Sequence, residues 1–192
     1  MPLQIPDEIL AMILRHSLVP DDAVFSHSCA YRSSYSSMGS VPLRPPPDRV
    51  LVCKQWMRAG TRLVYHTVIL RNRQQVDAFA ATLKANTAFS WFVCKLRVDR
   101  GFGSTLAQIL EVTKGSLREA CFSLDFPATD KPEVIGVMLE QLQLTRLVLV
   151  YGGAGGRTIT DSRPTIRHTW LGARLAESMF AWPNLVRFAR TF

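Results

Sequence analysis

Four histidines, four cysteines and one glycine-rich run are the parts of this sequence whose residue types could carry chemistry. His16, His27, His66 and His168 have no nucleophile or carboxylate at a spacing that would build a proton relay, so they read as scattered surface or packing residues. Cys29, Cys53, Cys94 and Cys121 lie 24 to 41 residues apart, whereas a zinc site opens with a close pair of ligands. They read as reduced thiols that behave like small buried hydrophobes. Gly152-Gly153-Ala154-Gly155-Gly156 follows an apolar run and could suggest a phosphate loop, but it lacks the G-x-G-x-x-G register and a following Gly-Lys-Ser/Thr. The expectation is a chain with no catalytic residue, no metal and no cofactor.

The balance of charge narrows the partners. A net charge of +8 raises the question of nucleic acid. Yet the basic residues are spread as Arg71/Arg73, Lys95/Arg97/Arg100, Arg157/Arg163/Arg167 and Arg187/Arg190, without a block, and read as a solvated surface. The longest apolar stretches, such as 147–151, are far shorter than the roughly 20 residues of a bilayer-crossing helix. Pro6, Asp7 and Glu8 stand where a signal peptide needs basic and then apolar residues. A cytoplasmic or nuclear protein is expected, with no membrane partner.

Any docking residues must be positioned by the elements around them. Residues 5–16 predict a helix: Pro6 suits a first turn, Asp7 and Glu8 complement the positive end of the helix dipole, and Ile9, Leu10, Ile13 and Leu14 line one face that must be buried. From 17 to 49 the pattern collapses into serines and a closing Pro45-Pro46-Pro47, which predicts a disordered insertion. Order resumes at Asp48, a plausible helix cap, and Val52, Cys53, Trp56, Ala59, Leu63 and Val64 then recur at helical spacing as one or two helices packed on the first.

Beyond residue 65 the chain repeats. The rhythm apolar-x-x-apolar-x-apolar occurs at Tyr65/Val68/Leu70, Val93/Leu96/Val98, Leu117/Ala120/Phe122 and Leu144/Leu147/Leu149, and Leu185/Phe188 begins a fifth copy. The middle positions are 28, 24, 27 and 41 residues apart, and all but the last match the roughly 20 to 29 residues of a leucine-rich repeat. Helical stretches lie between them at 75–84 (Val76, Phe79, Ala80, Leu83), 104–112 (Leu106, Ile109, Leu110) and 132–142 (Ile135, Met138, Leu139, Leu142), with another near 170–180. Strand and helix in alternation predict stacked units that share a core. The array ends without a polar cap, so it reads as truncated, with an aggregation-prone C-terminal edge.

Two blocks carry a family resemblance. Ile5-Pro6-Asp7-Glu8-Ile9-Leu10 and Leu51-Val52-Cys53-Lys54-Gln55-Trp56 resemble the two ends of an F-box, whose pattern starts Leu-Pro-x-Glu-Leu/Ile-Leu and closes Val-Cys-Lys-x-Trp. Leu63-Val64-Tyr65-His66-Thr67-Val68 and the stretches 92–98 and 144–149 are similar in rhythm to the repeat region of large families of fungal F-box proteins. Ile5 replaces the usual Leu, a near-isosteric change, and the insertion at 17–49 is longer than the usual connection.

The resemblance implies an α/β chain: an N-terminal helical F-box module over 1–66, then a short leucine-rich-repeat-like strand–helix solenoid over 67–192. It also implies a substrate receptor of an SCF-type cullin–RING ubiquitin ligase, with a Skp-family adaptor and an unknown target protein as partners and no bond-making chemistry of its own. Ile5, Pro6, Ile9, Leu10, Ile13, Val52, Cys53 and Trp56 would form the adaptor-binding surface, with Trp56 a candidate hot spot. Ile13, Leu14 and Trp56 could equally make the module's own core. The rival reading is a repeat-based scaffold that binds protein or nucleic acid without a ligase, with aromatic and basic residues interleaved at Trp91-Phe92-Val93-Cys94-Lys95-Leu96-Arg97.

Overall fold

Thirteen residues from Lys54 to His66 set the geometry of the N-terminal part. In the computed structural model, which describes residues 5–26, 50–124, 129–150 and 166–191, helix α1 (Asp7–Leu18) is followed by a short α2 (Asp22–Ser26) and then α3 (Lys54–His66). Trp56, Ala59, Leu63 and Val64 of α3, at i, i+3, i+7 and i+8, pack against Leu10, Leu14 and Leu18 of α1 and against Val50. Gly60 sits at the closest approach: a Cβ there would lie 2.5 Å from Val50 Cγ1 and 3.2 Å from Leu18 Cδ1. The absence of a side chain lets the two helices close.

From α3 the chain passes directly into β1 (Thr67–Leu70), then α4 (Arg73–Ala85), a 3-10 turn (Thr87–Phe92), β2 (Lys95–Val98), α5 (Ser104–Thr113) and β3 (Glu119–Ser123). A second 3-10 turn (Pro132–Ile135), α6 (Gly136–Gln141), β4 (Arg146–Val150), α7 (Ile166–Met179) and β5 (Arg187–Thr191) complete it. The protein is a mixed α/β structure whose five strands form one parallel sheet in sequential order. The middle apolar positions read from the sequence form one row across the sheet: Val68 pairs with Leu96, Leu96 with Ala120, Ala120 with Leu147, and Leu147 with Phe188. A backbone ladder begins one residue before the strands, where Cys94 N–H donates to His66 O, Arg118 to Cys94, Thr145 to Arg118 and Val186 to Thr145.

Parallel strands need crossover connections, and here the crossovers supply the second layer. Val76, Phe79 and Leu83 of α4, Leu106, Ile109 and Leu110 of α5, Leu139 of α6, and Leu171 and Leu175 of α7 cover the Leu96/Ala120/Leu147 face in one continuous core. Trp182 closes the far end and donates its indole N–H to Leu139 O at 3.0 Å. Phe180, Val186 and Phe188 nearby are exposed.

Several expectations change. Tyr65, read as the start of the first repeat, is the last residue but one of α3, stacked on Phe89 with centroids 4.5 Å apart. The insertion read as disordered from residue 17 keeps Ser17 and Leu18 in α1 and holds α2, whose Phe25 is 1% exposed. A buried aromatic side chain stabilises this turn, which its local composition does not predict. Residues 27–49 and the glycine run at 152–156, with Cys29, His27, Asp48, Arg157 and Arg163, lie outside the described residues, as does the side chain of His168. Among the described residues no helix is long and apolar enough to cross a membrane.

The junction between α3 and β1 carries a titrating group. His66, whose Nδ1 lies 3.1 Å from Thr67 Oγ1, has its pKa lowered by burial first and then by the nearby Lys95 and Arg15 charges. The folded chain therefore binds this proton more weakly than the unfolded chain does. The stability it contributes is present above the ordinary imidazole value of 6.5 and declines as pH falls from there to the folded pKa. A melting profile between pH 7.5 and 5.0 is expected to slope downward with acid more steeply in the wild type than in His66→Gln. Parallel profiles would exclude this contribution.

Candidate functional site

The two motif halves near residues 5 and 55, far apart in sequence, meet at the start of α1 and α3. Gln55 Nε2 donates to the carbonyl of Ile5 at 2.6 Å and to Asp7 Oδ1 at 3.0 Å. Arg58 completes the clasp with an ion pair to Asp7 Oδ2 at 2.6 Å. The Gln55 amide and then the Arg58 guanidinium hold the Asp7 carboxyl below its ordinary pKa. Pro6 precedes the first turn, and its carbonyl accepts from Leu10 N–H at 3.0 Å.

This clasp orients the apolar residues of α1 in two directions. Leu10, Leu14 and Leu18, spaced by four, face α3 and are each 2% exposed. Ile5, Ile9, Met12 and Ile13 are between 48% and 66% exposed. A helix turns 100° per residue, so Ile9, Met12 and Ile13 share one outward face. Leu51, Val52 and Met57 are also exposed, as is the Cys53 thiol at the N-cap position of α3. Single exposed apolar residues are ordinary, whereas a stripe of them marks an interaction surface.

Of the eight residues expected to bind an adaptor, Ile5, Pro6, Ile9, Ile13, Val52 and Cys53 are therefore exposed. Leu10 faces inward, in the module's own core, and so offers no surface. Trp56 is half-buried against the same core. The sequence expectation that Ile9, Leu10, Ile13 and Leu14 share one buried face is corrected: the buried stripe is narrower and rotated toward Leu18. Met12 and Met57, exposed beside the expected residues, had no motif position to single them out.

A second constellation was not foreseen. The sheet face turned away from the crossover helices carries Lys95, Arg97, Glu119, Cys121, Arg146, Val148, Val150 and Ala189 (alternating with the core-facing residues), and α2 lies on it. Phe25 packs on Cys121, Val148, Val150 and Ala189. Lys95 Nζ and Arg146 Cζ stand 5.6 and 5.9 Å from its ring centre. Arg146 grips Asp22 with two nitrogens, at 2.7 and 3.0 Å, and also reaches Glu119 at 3.1 Å and Ser26 Oγ at 2.6 Å. Arg97 is 3% exposed, pairs with Asp99 at 2.8 Å, and donates from Nη1 to the carbonyls of Val24 and Phe25 at 3.0 Å each. The reading of Lys95 and Arg97 as solvated basic surface is thereby corrected.

Trp91, which opens the interleaved aromatic and basic run, is 72% exposed. Lys95 and Arg97 are engaged with carboxylates on the α2-covered face of the sheet, so the interleaved aromatic and basic run presents no joint stacking surface. Among the described residues, no cluster of three or more His, Cys, Asp or Glu side chains is placed to hold a metal ion, and Cys53 and Cys94 are free thiols. No family model, no curated protein and no solved structure matches this chain.

Proposed function

We propose that the chain is a substrate receptor of an SCF-type cullin–RING ubiquitin ligase, docking a Skp-family adaptor through an F-box-like helical module and a target protein through leucine-rich-repeat-like units. The observation that carries this reading is the clasp of Gln55 on Ile5 and Asp7, which joins the two F-box-like motif halves and leaves an isoleucine stripe facing outward. Ile5, Pro6, Ile9 and Ile13 of the first half, with Val52 and Cys53 of the second, make the docking face. Leu10 supports that face from beneath, and Trp56 anchors α3. The repeat reading draws its support from the sequential parallel order of the strands and from the row Val68, Leu96, Ala120, Leu147 and Phe188. Catalysis falls to other subunits of such a ligase. A stand-alone repeat scaffold is the second reading, since the repeats support binding without the clasp.

The test is capture of a purified Skp adaptor by the full chain, with Ile9→Asp/Ile13→Asp as the variant. Both side chains are about half exposed, so circular dichroism and melting should stay near wild type. A carboxylate in a desolvated apolar interface is costly, and loss of two central anchors is expected to weaken capture by roughly 30-fold or more. A folded wild type that captures no adaptor at micromolar concentration leaves the scaffold reading. A double variant that captures the adaptor as well as wild type refutes Ile9 and Ile13 as the docking face.

A further inference from the structure

Helix α2 is five residues long, too short to hold its shape alone in water. Its conformation is imposed by the sheet, which offers a complementary group for each chemical feature of the segment. An apolar hollow of Cys121, Val148, Val150 and Ala189 takes the Phe25 ring, and two cations flank it. The Arg146 fork takes the Asp22 carboxylate in the two-point geometry that guanidinium favours. Arg97 takes the carbonyls of Val24 and Phe25 near the C-terminal, negative end of the turn.

The receptor side is organised without α2. Asp99 holds Arg97, and Glu119 holds both Lys95 and Arg146. Among the described residues this face carries the cations Lys95, Arg97, Arg146 and Arg187, the register partner of Arg146, against the anions Asp99 and Glu119, so without α2 its charge is net positive, and Asp22 offsets part of it. The match is incomplete in one place: Arg146 Nε is buried and finds no acceptor among the described residues. A segment with a further acceptor near its carboxylate would satisfy the site better than the chain's own.

We propose that this sheet face is a recognition site for a short helical turn of the form acidic-x-x-Phe in a partner protein, and that Asp22–Ser26 is a resident stand-in that such a segment displaces. That the partner is a ligase target rests on the receptor reading above. The binding itself does not, and its test uses the purified chain with no adaptor present, so failure of one reading leaves the other standing. The resident segment competes intramolecularly, and the apparent affinity of an incoming segment falls in proportion to the fraction of open face.

The probe is a fluorescent peptide with the sequence of residues 19–26, titrated into the full wild-type chain and into full-chain Asp22→Lys/Phe25→Ala, in which the resident segment can no longer seat. The expected result is binding to the double variant at least ten-fold tighter than to wild type, lost when Arg146→Glu is added and lost when the peptide's own phenylalanine is replaced by alanine. Binding of equal strength to wild type and double variant, or binding that survives Arg146→Glu, overturns the proposal. So does preference of the opened face for a single-stranded oligonucleotide over the peptide.

Should the double variant fail to fold, hydrogen exchange on the wild type decides. Millimolar peptide is then expected to speed exchange of the Phe25 and Ser26 amides while those of β3 and β4 stay protected. Unchanged exchange at Phe25 and Ser26 overturns the proposal.

Discussion

Phe122→Ala is expected to lower the stability of the whole chain by about 3–5 kcal/mol, the usual cost of emptying a filled aromatic site. Phe122 is fully buried in the third of five strands, paired with Val98 on one side and Leu149 on the other, and its ring lies 6.2 Å from that of Phe102. The cavity would open between layers that cannot collapse without breaking strand register. For a chain of this size a loss of that magnitude corresponds to a fall in melting temperature of roughly 6–20 °C, a large share of the roughly 5–15 kcal/mol that holds most domains together. Phe180→Ala is the matched control, since Phe180 is 94% exposed; its midpoint should move by less than about 0.5 kcal/mol. Indistinguishable denaturation curves for the two variants would refute the placement of Phe122 at the centre of the core.

Asp130→Ala is expected to cost about 2–4 kcal/mol through a different mechanism, the stranding of buried donors. Asp130 is 4% exposed, and its Oδ2 accepts from the N–H groups of Gly101 at 2.7 Å and Phe102 at 3.1 Å. The neighbouring Lys131 N–H returns a bond to Phe102 O at 2.8 Å. The turn after β2 is thus stitched to the segment before α6. Gly101 has φ +94°, and a Cβ there would lie 2.8 Å from Val76 Cγ2 and 3.1 Å from the Arg73 backbone, so the turn cannot relax toward an ordinary conformation to find other acceptors. Asp130→Asn keeps a carbonyl oxygen and should lose about half as much or less. Chemical denaturation separates the two variants, and faster hydrogen exchange at Gly101 and Phe102 in Asp130→Ala alone would locate the damage. Equal stability of Asp130→Ala and wild type would mean that the two amides find water in the folded state.

The sequence by itself determined the elements whose physics is local. Val76, Phe79 and Leu83, or Leu106, Ile109 and Leu110, announce a helix and its buried stripe because a 3.6-residue period leaves one way to bury them. The repeat rhythm foretold the row from Val68 to Phe188, since each unit must present its apolar positions to its neighbours to share a core. Only the tertiary structure decided which side of α1 is buried. Ile9, Leu10, Ile13 and Leu14 span more of the helix surface than one neighbour covers, and the approach of α3 over Gly60 chose Leu10, Leu14 and Leu18. It alone ordered Asp22–Ser26, because the groups that hold that turn, Arg97 and Arg146, lie 72 and 124 residues away from their partners Phe25 and Asp22. Asp130 and Gly101 are joined the same way, across 29 residues. Apolar periodicity is written in neighbouring residues, whereas a carboxylate's partner is whatever the fold brings within 3 Å, and nothing in its local sequence records which group that will be.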